Sequence, residues 1–197
     1  MTAGAHETTL GLDHRKLAMW VFLGSEFLFF GGFIAAYLLY LDTTAGGPGV
    51  EIFDIPFTTI SSFVLLMSSL TMVLAHHAHT QGDMRRMRLW TLATAGQGAV
   101  FLGGQVFEFN VFWREGLTYG ESPFASAFYT LTGFHGIHVF IGIILLLGLY
   151  SLSITGKVKP GQPLKTEMIG LYWHFVDIIW VLVFGVVYLI PELALMG

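Results

Sequence analysis

Cysteine is absent from the 197-residue chain, which excludes disulfide frameworks, thiolate zinc sites and iron–sulfur ligation at once. Charge is scarce as well. Asp, Glu, Lys and Arg make up 11% of the residues, against about 25% in an ordinary soluble domain. No internal repeat is visible, and past the first dozen residues there is no low-complexity tail. A cleavable signal peptide is not expected, because the first apolar run is too long for one and no small-residue cleavage site follows it. The net charge of −4 is modest, and nothing singles out nucleic acid as a partner.

What the chain has in excess is apolar surface, with 54% hydrophobic residues and a mean hydropathy of +0.69. Five stretches approach the 20 or so residues needed to cross about 30 Å of hydrocarbon. They run Leu17–Leu41, Phe57–His76, Leu89–Val111, Phe124–Tyr150 and Leu171–Ile190. The expected fold is an all-α membrane protein, a bundle of five transmembrane helices. Lys and Arg alternate cleanly between the connections: Arg15 and Lys16, then none; Arg85, Arg86 and Arg88, then only Arg114; Lys157, Lys159 and Lys165, then none. The positive-inside rule therefore puts the N-terminus in the cytoplasm and the C-terminus outside. Residues 1–14 read as a cytoplasmic tail and 15–197 as one transmembrane domain. An odd number of spans argues against a transporter made of two equal halves.

Against this background Glu26, in "LGSEFLFFGGF", stands out, because an ionised carboxylate in hydrocarbon must be neutralised, paired or used. At about 1.5 Å per residue it lies some 15 Å from the Arg15/Lys16 boundary. The same rise puts His135 and Asp177 near mid-depth too. His138 follows His135 by three residues, and His174 precedes Asp177 by three, so each pair shares a helix face. Gln97, Phe101, Gln105 and Glu108 form a polar stripe on the third span, toward the outer side. Small residues inside the spans (Gly31, Gly32, Ser61, Ser62, Ser68, Ser69, Gly96, Gly98, Gly103, Gly104, Gly133, Gly136, Gly142) read as close helix packing. Trp20, Trp90, Trp113, Trp173 and Trp180 read as anchors at span ends or on outward faces.

Three readings fit the mid-depth set of Glu26, His135, His138, His174 and Asp177. It is a satisfied hydrogen-bond network that fixes helix register, a proton-holding group, or, through His138 and His174, a bis-histidine haem site. The cluster "AHHAHTQGD" (His76, His77, His79, Asp83) resembles a metal site, but spacings of one and two on a helix do not converge on one ion. It reads instead as a polar cap near anionic headgroups.

Taken in order, the motifs resemble subunit III of haem–copper terminal oxidases, the cytochrome c and quinol oxidases of respiratory chains. "SEFLFFGGF" is similar to that family's glutamate-bearing helix, "AHHAHTQGD" to the end of its next helix, and "ATAGQGAVFLGGQVFEF" to the one after. "FYTLTGFHGIHVFIG" and "LYWHFVDIIWVLVFGVVYLI" resemble its last two helices, so the likeness covers about 15 to 195. Many members have two further N-terminal helices bounding a phospholipid-filled cleft, so this chain resembles the short, five-helix type. The resemblance implies a chain without catalytic, cofactor-binding or metal-ligating residues of its own. Haem and copper belong to its partners, subunits I and II, beside which small accessory subunits and bound phospholipids are expected. It implies a multi-pass protein of the bacterial plasma membrane that stabilises subunit I and supports proton uptake during oxygen reduction. It also implies that Glu26 corresponds to the family's carbodiimide-reactive acid, a protonated carboxyl hydrogen-bonded to His135 or His138. A quinol oxidase or a nitric-oxide-reductase-associated relative is the alternative. A stand-alone b-type haem carrier and a proton transporter are more distant ones.

Overall fold

The computed structural model describes residues 13–191, and about three quarters of them lie in five helices: α1 (His14–Leu39), α2 (Ile55–Thr80), α3 (Met84–Arg114), α4 (Pro123–Ile154) and α5 (Leu164–Phe184). Residues 1–12, most of the expected tail, and 192–197 lie outside the described residues. Four of the helices start on side chains suited to the task. Asp13, Asp54, Asp83 and Ser122 each accept a hydrogen bond from a backbone N–H of the first turn, at 2.8–3.0 Å. Pro56 and Pro123 occupy first-turn positions, where a missing N–H costs nothing. Between α2 and α3 the chain reverses within three residues, and Gly82 supplies the φ of 77° that the reversal needs.

The helices overrun the apolar stretches at most ends. The largest difference is in α5, which begins at Leu164, seven residues before the expected Leu171. Its first turn carries Lys165, Thr166 and Glu167, which hydropathy skips but a helix accommodates. α1, α2, α4 and α5 are long and apolar enough to cross a membrane. α3 is the longest but one and falls short, because Thr91, Thr94, Gln97, Gln105 and Glu108 dilute its hydropathy.

Successive helices run antiparallel. The basic connections gather at one end, where Lys16 Nζ meets Glu167 Oε1 at 2.6 Å and Arg88 meets the end of α4. α2 and α3 form the most extensive pair, α3 continues onto α4, and α5 packs on α2 and α4. α1 lies against α4 and α5 through one narrow seam of Leu23, Phe30 and Tyr37, spaced by seven. At the other end Phe53 closes the core among Phe112, Phe128 and Tyr188, with ring centroids 5.0–5.3 Å away.

Two of the five tryptophans overturn the anchor reading. Trp20 and Trp113 are exposed, but Trp173 and Trp180 are among the most deeply buried side chains. Trp173 fits a slot made by two glycines: a Cβ on Gly98 would fall 2.5 Å from its ring, and one on Gly142 2.8 Å. Its Nε1 donates to Ser68 Oγ at 2.8 Å, and Trp180 Nε1 donates to Ser62 Oγ at 2.8 Å. A buried indole N–H needs such an acceptor. Close packing therefore holds for Gly98 and Gly142. A Cβ on Gly31, Gly32, Gly96, Gly103 or Gly133 would meet nothing within 4 Å.

Candidate functional site

The expected mid-depth network separates into three centres. In the first, Glu26 of α1 faces α4, with Oε2 3.3 Å from His138 Nε2. His138 Nδ1 lies 2.7 Å from the Phe134 carbonyl, which can only accept, so Nδ1 carries a proton. Nε2 is the ring atom left to face the carboxyl group, and the hydrogen bond between them needs one proton from either side chain. Phe30 lies edge-on to the imidazole at 5.0 Å, and Tyr172 Oη of α5 donates to the His138 carbonyl at 3.1 Å. Phe29, Phe33 and Phe134 pack on one another nearby, edge-on or tilted, with centroids 4.5–5.5 Å apart. Glu26 retains 22% side-chain exposure and His138 12%, so the pair lies at the edge of the bundle.

His135 does not join it. Three residues along an α-helix subtend about 300°, so two side chains on a shared face still diverge by about 60°. That divergence turns His135 inward, fully buried, with its ring 4.7 Å from Trp180 and edge-on to Phe101. Nε2 donates to the Val176 carbonyl at 3.2 Å, and Nδ1 has no partner among the described residues. Of the two partners expected for Glu26, only His138 is reached.

The third centre joins α2 to α5. Ser69 Oγ donates to Asp177 Oδ2, and its own acceptor position lies 2.9 Å from His174 Nδ1. The protons run one way, from His174 Nδ1–H to Ser69 and from Ser69 to Asp177. His174 and Asp177 are thus linked by a serine of a neighbouring helix, which the three-residue spacing did not disclose. His174 addresses α2 while His138 addresses α1, so the two imidazoles required by the haem alternative serve different neighbours.

The polar stripe of α3 is engaged along its length. Glu108 accepts from Thr58 Oγ1 of α2, Gln97 Oε1 accepts from Thr71 Oγ1 at 3.0 Å, and Gln105 Nε2 donates to the Thr132 carbonyl of α4 at 2.7 Å. Where hydropathy undervalues α3, its polar atoms face the neighbouring helices.

The polar-cap reading of "AHHAHTQGD" is corrected at His79. This residue is fully buried: Nε2 donates to the Lys159 carbonyl at 2.9 Å, and Thr166 Oγ1 donates to Nδ1 at 2.7 Å. It fastens the α4–α5 connection to the end of α2. His77 is exposed, and Asp83 caps α3. No group of three metal-ligating side chains occurs among the described residues.

Three comparisons bear on this arrangement. Residues 2–191 match the family model described as cytochrome c oxidase subunit III. The chain is 40% identical over 188 residues to a cytochrome c oxidase subunit 3 of Bacillus sp. (strain PS3), covering 95% of this chain and 91% of that one. It is 37% identical over 175 residues to a quinol oxidase subunit 3 of Bacillus spizizenii, covering 88% and 85%.

Proposed function

The chain belongs to the cytochrome c oxidase subunit III family, and from that premise we propose that it is the non-redox accessory subunit of a respiratory haem–copper oxidase in a bacterial plasma membrane. The match over 2–191 carries this reading, because relatives of both donor classes bear the subunit 3 name. In it, 15–197 form a single domain, the basic end faces the cytoplasm, and α3 completes five spans by turning its polar stripe inward. Subunits I and II hold the haem and copper, and this chain stabilises subunit I and supports its proton uptake.

Within that role Glu26 is held as a neutral acid that donates to His138. The support is hydrogen-bond accounting at His138 together with the cost of a bare carboxylate at that depth. The Ser69–His174–Asp177 link and His135 fix the register of α5. A quinol oxidase is the second reading, favoured by the 37% identity to a quinol oxidase subunit 3.

Purification of a tagged chain from native membranes tests the proposal. It should bring down a larger haem-bearing subunit, identified by mass spectrometry, with an oxidase absorption spectrum. A chain that purifies alone from intact membranes refutes it.

A further inference from the structure

At the basic end, beside α4, the first two turns of α3 border an open cavity of about 660 Å³. Arg85, Arg86 and Arg88 line it, with Leu89 and Leu92 one turn further along α3 and Tyr150 opposite on α4. Three guanidiniums face a single carboxylate, Asp83, whose Oδ2 takes Arg86 Nε at 3.4 Å.

Arg88 is held in place. Its Nε donates to Ser153 Oγ at 3.0 Å and its Nη2 to the Ser153 carbonyl at 2.6 Å, and Ser153 is buried. Nη1 keeps both of its N–H groups free of partners among the described residues. Arg85 is exposed and likewise has no protein acceptor there. The cavity thus offers a fixed guanidinium, an exposed one without a protein acceptor among the described residues, and one paired with Asp83. Below them is apolar wall: Leu89 is 62% exposed and Leu92 39%. Nothing in a soluble anion would use that wall, whereas an acyl chain would.

We propose that this cavity is a binding site for one anionic phospholipid, its phosphate between Arg85 and Arg88 and a chain along Leu89 and Leu92. Guanidinium groups match phosphate oxygens in paired geometry, and a cluster of basic residues at the cytoplasmic headgroup level attracts anionic lipid. The proposal uses the membrane orientation given above. It does not depend on which electron donor the complex serves.

The test uses the assembled complex in nanodiscs of phosphatidylcholine alone, or with one tenth phosphatidylglycerol. Native mass spectrometry then counts the lipid retained on this chain. Wild type should keep one phosphatidylglycerol in preference to phosphatidylcholine. Arg85→Gln, which breaks no protein contact, should lower that retention about fivefold, as should Arg88→Gln. Lys157→Gln/Lys159→Gln, which removes more charge at the same end, should leave retention unchanged. Equal losses in the arginine and lysine variants would reduce the effect to general surface charge and overturn the site. Displacement of the lipid by millimolar inorganic phosphate would reassign the cavity to a soluble anion, and absence of preference in wild type would also overturn it. Co-purifying subunits are identified in the same spectra, so a failed site is distinguishable from a failed oxidase assignment.

Discussion

α1 and α5 are both apolar helices of this bundle, yet the structure treats them as opposites. Ten of the 21 residues of α5 are buried, but only three of the 26 in α1. α5 is held by shape, with Trp173 in its glycine slot and two indole N–H groups on serines of α2. α1 has too narrow a seam for that. It is pinned at three heights by polar contacts: Lys16 to Glu167, Glu26 to His138, and Tyr37 Oη to the Val187 carbonyl at 3.4 Å. The steps of ten and eleven residues put these pins about 15 Å apart. In lipid, where apolar contact alone drives association poorly, polar pins set register for a helix that packs little.

Breaking the shape-held side should have the largest effect. Trp173→Ala empties the slot between Gly98 and Gly142 and should cost about 3–5 kcal/mol, read as loss of intact complex after solubilisation. Next comes the link that only α5 has. Asp177→Leu leaves Ser69 without its acceptor and should cost about 1–3 kcal/mol, lowering the thermal midpoint of the complex. Asp177→Asn, which keeps an acceptor oxygen, should recover most of that loss.

On the α1 side, Glu26→Gln keeps a donor for His138 Nε2. Assembly and haem content should match wild type, initial turnover should fall modestly, and labelling by a hydrophobic carbodiimide should vanish. Complete loss of oxygen consumption in an assembled variant would make Glu26 an obligatory relay and not a pin. The smallest effect belongs to Lys16→Gln. Its pair is about one-third exposed, such bridges contribute about 0–1 kcal/mol, and melting should shift by a degree or two at most.

The same contrast explains what was legible in the sequence. The five helices, their approximate ends and the polar stripe of α3 follow from hydropathy and helical spacing, because each depends on a single segment. The partnership of Glu26 was half legible: depth singled out His135 and His138 together, but choosing between them needs the direction in which α1 lies. Trp173 and Trp180 were misjudged because a tryptophan in an apolar run looks the same at a headgroup as in a core. A serine three helices away in sequence terms decides the matter, as Ser68 and Ser62 do here. His79 was missed for a like reason, since its partners Lys159 and Thr166 are 80 and 87 positions distant.

After Phe184 the helix widens into a single π turn, Gly185–Leu189, where the Ile190 amide bonds back to the Gly185 carbonyl. Such a turn absorbs one surplus residue, which a regular α-helix would have to accommodate by rotating everything beyond it through about 100°. Val187 and Tyr188, within this turn, are both almost wholly enclosed. Excising Val186 would remove the surplus residue and restore regular winding, leaving Ile190 and Pro191 in their present register. A one-codon deletion there would thus be better tolerated than the same deletion a turn earlier in α5, which would rotate the aromatic end of the helix by about 100°.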